Sequence, residues 1–248
     1  MRFGILLAAT AAVVAPMATT AATLKFSPWI VRALADPARA DQKVDDDRRK
    51  AGEVLTFSGV KPGWQVVDYL PGQGYWTRIF TGAVGPTGHV YALWPSVSGE
   101  RAKPVIASLD ERKLGNVTAA VDPGLITLDK PVDLVWTVEN YHDLPNDGRG
   151  EPALNAFNAA VFKALKPGGT YVVIDHVAPA GSGLTDTRTL HRIDPAIVKR
   201  QVLGAGFTFV GESKALANPK DDHTLKVFDP AIRGHTDQFV YKFRKPLK

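Results

Sequence analysis

The chain has 248 residues, of which 45% are hydrophobic, and this is enough for one α/β domain with a sizeable core. Its formal net charge of +5 is a modest excess without a long block of Lys and Arg, a pattern that disfavours nucleic acid as a partner. The absence of cysteine excludes thiolate zinc sites, iron–sulfur clusters and cysteine nucleophiles.

Residues 1–22 have the pattern of a secretory signal peptide. Arg2 supplies a positive charge, residues 4–16 are almost entirely apolar, and small residues follow up to Ala22. The apolar run is shorter than the roughly 20 residues that span a bilayer. We therefore predict cleavage after Ala22, a single domain over residues 23–248, no membrane span after cleavage, and a periplasmic or secreted protein. An uncleaved membrane anchor is the alternative.

Two helices are predicted before the first strand. Residues 23–37 are rich in apolar side chains, which predicts a short amphipathic helix that packs on the core; a surface-binding segment is the alternative. Over residues 45–57, Asp45 and Asp46 stand four positions before Arg49 and Lys50. This spacing places opposite charges on one helix face, so the charge run is interpreted as a solvated face.

From residue 65 onward, strand and helix patterns alternate along the chain, which predicts βαβ units. The sequence KPGG at 166–169 is expected to end the longest helix with a Gly cap. The interpretation is an α/β fold: a single doubly wound, Rossmann-like, mostly parallel seven-stranded sheet with a C-terminal antiparallel hairpin. The predicted strands cover 65–70, 88–94, 117–121, 132–138, 170–174, 207–212 and 238–244, and the predicted helices cover 75–83, 100–109, 151–165 and 195–203.

The turn after the first of these strands is a candidate ligand site. Asp68 lies near the end of the strand, and Gly72 and Gly74 lie between it and the helix that begins at Tyr75. Glycines let the backbone approach a ligand closely, and amides at a helix N-terminus point toward it. A dinucleotide site would need a further glycine where Thr77 stands. A tight turn without any ligand is the alternative.

The second strand lacks a residue that an adenosine site usually has. A carboxylate that binds a ribose is expected about 20 residues beyond a Gly-rich turn, but the sequence there is ALWP at 92–95. Trp94 could instead stack on an adenine ring, because aromatic faces suit flat bases. A place for Trp94 in the core or in a lid is the alternative.

Polar residues follow the fourth strand, where a substrate would lie. Glu139, Asn140 and His142 occupy this position. A histidine has a pKa near working pH and could remove a proton from an acceptor hydroxyl. The alternative is that His142 caps the loop by a hydrogen bond.

A second polar group follows the fifth strand. Asp175 and His176 end that strand, and His191 precedes the next helix, with Arg192 and Asp194 beside it. Convergence of His142, His176 and His191 with Asp175 would offer metal ligands. Their spacing is no known metal motif, so we predict no metal. The chain contains no G-x-S-x-G sequence, which disfavours a hydrolase of that type.

Two separated segments resemble the class I S-adenosylmethionine (SAM)-dependent methyltransferases. They are VVDYLPGQGY at Val66–Tyr75 and LKPGGTYVVID at Leu165–Asp175. The family pattern has glycines at three alternate positions after the acid, and here the first of them is Leu70. Further stretches resemble a group of exported bacterial proteins with this fold: RRKAGEVL at 48–55, ENYHDL at 139–144, HRID at 191–194 and VFDPAIRG at 227–234.

The resemblance implies SAM as the cofactor and methyl transfer by in-line displacement to a small molecule, with oxygen acceptors preferred because of the nearby histidines. The alternative is a non-catalytic exported protein that binds a small ligand, and a metal-dependent hydrolase is a third class. His142 and His191 are the candidates for the acceptor side. The candidates for cofactor binding are Asp68, Leu70, Gly72, Gly74, Tyr75, Trp94, Glu139 and Asn140.

Overall fold

The computed structural model describes Met1 and residues 26–248, so the predicted signal peptide and its cleavage site lie outside the described residues. In the described range, short helices and strands alternate as the sequence predicts. The helices are α1 Pro28–Ala35, α2 Ala51–Ser58, α3 Tyr75–Val84, α4 Gly99–Glu111, α5 Gly150–Ala164 and α6 Pro195–Gly204. The strands are β1 Gln65–Tyr69, β2 His89–Pro95, β3 Val117–Asp122, β4 Val132–Val138, β5 Leu165–His176, β6 Thr208–Ser213 and β7 Gln238–Arg244.

The strands form one seven-stranded sheet in the order β3-β2-β1-β4-β5-β7-β6. The first five are parallel to one another, and β7 pairs antiparallel with both β5 and β6. The predicted fold class, including the antiparallel C-terminal pair, is confirmed. Because the chain moves from β1 outward to β3 and then returns to β4, the order reverses between β1 and β4. Ligands of such sheets bind beyond the carboxyl ends of the strands at this switch point.

Alternate side chains of the central strands pack into two hydrophobic layers. One layer packs α1, α2 and α3 against residues such as Val66 and Trp136, and the other packs α5 and α6 against residues such as Val67 and Val135. Trp136 is fully buried and meets the rings of Trp76 and Phe80 edge-on. The layers hold the ends of β1 and β4 rigidly in place, which is what a site at the switch point needs.

Residues 26–37, the described part of the predicted N-terminal helix, pack on the core, as predicted. Ile30 and Ala33 of α1 are buried, and the indole of Trp29 donates to the carbonyl of Val60 at 2.8 Å. A Cβ on Gly82 of α3 would lie 3.1 Å from Ala33, so the two helices touch where glycine removes a side chain. Within residues 26–248, no helix has both the length and the apolar character needed to cross a membrane.

The predicted boundaries differ most from the structure at two places. Helix α2 begins at Ala51 rather than at 45, because Lys50 has a left-handed backbone (φ 45°) and Asp46 turns away to pair with the buried Arg39 at 2.6 Å. The KPGG sequence does not cap α5. Instead Leu165 passes directly into β5, and Gly168 (φ 77°) lies in an irregularity where the register with β4 shifts between Val132 and Leu134.

Candidate functional site

The turn from β1 to α3 has a left-handed backbone at three alternate positions. The φ angles are 55° at Leu70, 56° at Gly72 and 74° at Gly74. A Cβ on Gly72 would meet no atom of the described residues within 4 Å, so this part of the turn borders open space. Gly74 is the N-cap residue of α3, and as a glycine it offers no side chain to cap the first amides of the helix. The turn therefore presents backbone donors to the space above it.

The space above the turn is a cavity of about 400 Å³, here called the turn cavity. Three side chains that line it carry a buried polar atom without a hydrogen-bond partner among the described residues: Gln42 Oε1, Arg49 Nε and Trp76 Nε1. Buried polar atoms are nearly always paired, because leaving one unpaired costs about 1–3 kcal/mol. Two donors and one acceptor around one cavity favour a polar ligand that both accepts and donates hydrogen bonds.

Asp68 lies under this cavity and is only 2% exposed. The hydroxyl of Thr77 donates to its Oδ2 at 2.7 Å. Burial raises the pKa of the Asp68 carboxyl to about 7, although the hydrogen bonds from Thr77 act in the opposite direction. A cationic group of a ligand above Asp68 would favour its ionised form.

The other predicted cofactor residues form the walls of the turn cavity. The Tyr75 hydroxyl donates to Asp46 at 2.7 Å, and its ring lies 4.8 Å from the guanidinium of Arg49. Asn140 Nδ2 donates to the carbonyl of Leu70 at 3.0 Å, which joins the end of β4 to the turn. Glu139 accepts from Gln238 Nε2 at 3.0 Å, with a left-handed backbone (φ 58°) that points it into the wall.

Trp94 is not brought to the site. It is 3% exposed and packs against Ala102, Val105 and Leu109 under α4. Its neighbours Pro95 and Ser96, rather than Trp94 itself, border a cavity. The structure thus places Trp94 in the core, which was the alternative to stacking on an adenine ring: the side chain lies on the face of β2 that α4 covers, where an apolar indole is most stable.

A second and larger cavity of about 760 Å³ lies beyond the carboxyl ends of β1 to β4; we call it the strand-end cavity. Leu70 and Asn140 line both cavities, so the two adjoin. The strand-end cavity contains cations from Arg101, Arg149 and Arg188. Asp143, Asp147 and His191 also line it.

Asp175, at the end of β5, holds His142 from beneath. Asp175 is fully buried, and His142 is 3% exposed. Burial opposes protonation of His142, but the charge of Asp175 and its hydrogen bond prevail and raise the pKa of His142 above its ordinary value. The same pairing outweighs burial for Asp175 and lowers the pKa of its carboxyl.

The opposite edge of the His142 ring contacts His191. His142 Nε2 lies 3.2 Å from His191 Nδ1, and the side chain of His191 is 25% exposed. Burial and the neighbouring charge of His142 lower the pKa of His191, so the hydrogen-bond direction assigned here has His142 donate and His191 accept. A molecule in the strand-end cavity therefore meets His191 and Asp143 directly, and His142 through them.

The other polar residues near β5 are structural. The ring centroid of His176 lies 6.2 Å from that of His142, but its Nδ1 pairs with the hydroxyl of Thr236 at 2.7 Å. Arg192 is fully buried and makes two hydrogen bonds to Asp221. The side chain of Asp194 accepts from the amide of Ala196 and so caps α6, as its position before the helix predicts.

Sequence reasoning missed several polar residues of the two cavities, among them Gln42, Arg49, Trp76 and Asp143. Arg49 belongs to a charge run interpreted as a solvated face, and Trp76 belongs to the apolar stripe of α3. The position of Asp143 directly after His142 was the available signal.

No protein-family model matches the sequence. Solved structures do match it. The chain is similar to a SAM-dependent methyltransferase from Aquifex aeolicus, with 18% identity, a TM-score of 0.55, and coverage of 89% of this chain and 99% of the other. It is similar to a glycopeptide N-methyltransferase complexed with sinefungin, with 18% identity, a TM-score of 0.54, and coverage of 81% and 87%. The chain has the class I methyltransferase fold.

The same fold serves another reaction. The chain is also similar to a 4+2 cyclase, with 15% identity, a TM-score of 0.60, and coverage of 88% of this chain and 92% of the other. At such identities the likeness describes the fold, and function has to be argued from the residues of the two cavities.

Proposed function

We propose that the protein is a SAM-dependent methyltransferase that acts on a small molecule. The observation that supports this most is the turn cavity, where Gln42, Arg49 and Trp76 hold polar atoms without partners among residues 26–248, beside a left-handed Gly72. SAM has an amino-acid end with a carboxylate and an ammonium group. Arg49 and Trp76 would donate to the carboxylate, and Gln42 and Asp68 would accept from the ammonium group.

When bound, SAM supplies a methyl group on a sulfonium. Transfer of that methyl needs mainly proximity and alignment of the acceptor. In the proposal, the acceptor lies in the strand-end cavity, next to the turn cavity, and its reacting oxygen faces His191 and His142. The arginines that line the strand-end cavity would orient acidic or hydroxylated groups of the acceptor.

Export is a second part of the proposal. The signal-peptide pattern of residues 1–22 supports a periplasmic or secreted location for a mature protein that begins near Thr23. The acceptor is proposed to be a small molecule, because the basic residues of the sequence form no stripe for nucleic acid.

Calorimetry with SAM and S-adenosylhomocysteine tests the proposal. We expect binding of both in the micromolar range. Trp76→Phe removes only the indole donor and should weaken SAM binding about 10-fold or more, the loss expected for a hydrogen bond to a charged group. Trp136→Phe is the matched control, because its indole nitrogen is also buried and without a partner among the described residues but lies outside the turn cavity.

Two outcomes would contradict the proposal. A folded protein that binds neither compound would favour the non-catalytic binding protein. Equal weakening by Trp76→Phe and Trp136→Phe would mean that general loosening of the aromatic cluster, and not a contact with the ligand, changes the affinity.

A further inference from the structure

We infer that His142, Asp143 and His191 form a binding site for one divalent transition-metal ion. The three atoms that would coordinate it already lie close together. His142 Nε2 is 3.2 Å from His191 Nδ1, and Asp143 Oδ1 is 3.5 Å from the former and 3.8 Å from the latter. Ligand atoms about 2.1 Å from a tetrahedral zinc ion stand about 3.3–3.4 Å apart, so small side-chain adjustments would complete the site.

Asp175 supplies the outer contact that metal-binding histidines usually have. Its Oδ1 lies 2.8 Å from His142 Nδ1, which makes that nitrogen the donor in the neutral ring and leaves the Nε2 lone pair for a metal. Asp175 is fully buried, so rotation of the His142 ring away from it would leave the carboxylate charge of Asp175 buried without a partner. The site is thus held from beneath by a group that sequence reasoning placed at the end of β5.

His191 is held in an unfavourable backbone conformation that points its ring at His142. Its φ is 57°, in the left-handed region that a residue other than glycine rarely adopts. The ring of Phe228 lies 4.9 Å away on the other side. Strain of this kind gathers at functional sites, where the surrounding structure fixes it.

The ligand types select the class of metal. Two imidazoles and one carboxylate suit Zn²⁺ and its first-row neighbours, whereas Mg²⁺ and Ca²⁺ prefer oxygen ligands. Three protein ligands leave at least one position for water or substrate. Asp143 and His191 line the strand-end cavity, so that position faces it. A hydroxyl or carboxylate of the acceptor would coordinate there; this last step, unlike the metal site itself, rests on the proposed function.

The competing explanation is a plain hydrogen bond between the two rings. Nitrogens 3.2 Å apart can share one proton, and a metal ion that binds between them replaces it. The geometry of Asp143 separates the two cases, because a hydrogen-bonded pair needs no carboxylate at nearly equal distance from both nitrogens.

Calorimetric titration of the untagged full chain with Zn²⁺, without SAM, tests the inference. We expect one ion per chain, with a dissociation constant in the micromolar range or tighter, and no comparable binding of Mg²⁺. His191→Ala and Asp143→Asn should each weaken Zn²⁺ binding at least about 10-fold, and both side chains are exposed enough for the variants to fold. Titration with Co²⁺ adds a visible spectrum that reports its coordination.

Two control variants remove the same kinds of side chain, one carboxylate and one imidazole, outside the proposed metal site. Asp147→Asn changes a carboxylate of the same cavity that pairs with Arg188, and His235→Asn changes an exposed histidine elsewhere. Both should bind Zn²⁺ as the unchanged protein does. Absence of stoichiometric binding, or equal losses in the controls and in the ligand variants, would overturn the inference. Because SAM is not present, this result does not depend on whether the protein binds SAM.

Discussion

The carboxylate of Asp175 contacts His142 at two points. Its Oδ2 accepts a hydrogen bond from the backbone amide of His142, and its Oδ1 lies within hydrogen-bond distance of the ring Nδ1, both at 2.8 Å. A third donor, the amide of His176, also lies 2.8 Å from Oδ1. One fully buried carboxylate thus fixes the loop after β4 onto the end of β5. These contacts position the ring of His142, and they also stabilise the folded protein.

Asp175→Asn should therefore destabilise the protein by about 3–5 kcal/mol, because an amide cannot accept from three donors and its own NH₂ group would face them. Urea unfolding of both proteins measures the difference. Asp147→Asn removes a carboxylate from an exposed ion pair with Arg188 and should cost less than about 1 kcal/mol. If Asp175→Asn lowers the free energy of unfolding as little as Asp147→Asn does, Asp175 does not stabilise the protein as predicted.

Asp68 should make stability depend on pH. Its pKa is about 7 in the folded chain against 3.8 ordinarily, so the folded state holds more protons than the unfolded state between these values. Stability from this group is full below pH 3.8 and is lost as pH rises to about 7. Relative to the unchanged protein, Asp68→Asn should gain up to about 4 kcal/mol at pH 8 and almost nothing at pH 4.

Unfolding curves of the two proteins across this pH range give the difference directly, since groups common to both cancel. A constant difference from pH 4 to pH 8 would show that Asp68 has an ordinary pKa in the folded chain. Measurement without SAM keeps this prediction separate from ligand binding.

Gly72→Val should abolish SAM binding and leave the sheet folded. The new side chain would enter the space above the turn, where a Cβ meets no described atom within 4 Å, and φ is 56°. Gly181→Val is the matched control: φ is 83° there, a Cβ again meets nothing within 4 Å, and the residue lies outside both cavities. Each variant should lose about 1–3 kcal/mol of stability from backbone strain. Normal SAM binding by Gly72→Val would remove the turn from the proposed site.

Trp94→Leu should lower the free energy of unfolding by about 2 kcal/mol or more, because it leaves a cavity between β2 and α4. The affinity for SAM should stay within about twofold, since Trp94 borders neither cavity. Thermal unfolding and calorimetry provide the two numbers. A loss of affinity at unchanged stability would restore the stacking role for Trp94.

N-terminal sequencing of the native protein should find a chain that begins near Thr23 in the periplasm or the medium. The expectation follows from the apolar run of residues 4–16 and the small residues before Ala22. A chain that starts at Met1 in the cytoplasmic fraction would rule out export by this signal.

Local sequence patterns were sufficient for the helices, the strands and the fold class. Strand and helix periods, the glycines of the β1–α3 turn and the Asp194 cap are properties of neighbouring residues, and each predicted strand has its counterpart in the seven-stranded sheet. The turn at Gly72 and Gly74 was predictable for the same reason: its left-handed backbone needs residues without a Cβ at those positions.

The composition of the site was decided by tertiary structure. Arg49 and Trp76 have the sequence context of a charged helix face and an apolar stripe, and only the packing of the segment before α2 on α3 buries their polar atoms at one cavity. Trp94 has the context of a ligand contact but alternates to the covered side of β2. His142, Asp143 and His191 meet because the loop after β4 and the segment before α6 end at the same edge of the sheet. Such meetings depend on which strands become neighbours, and local periodicity carries no information about that.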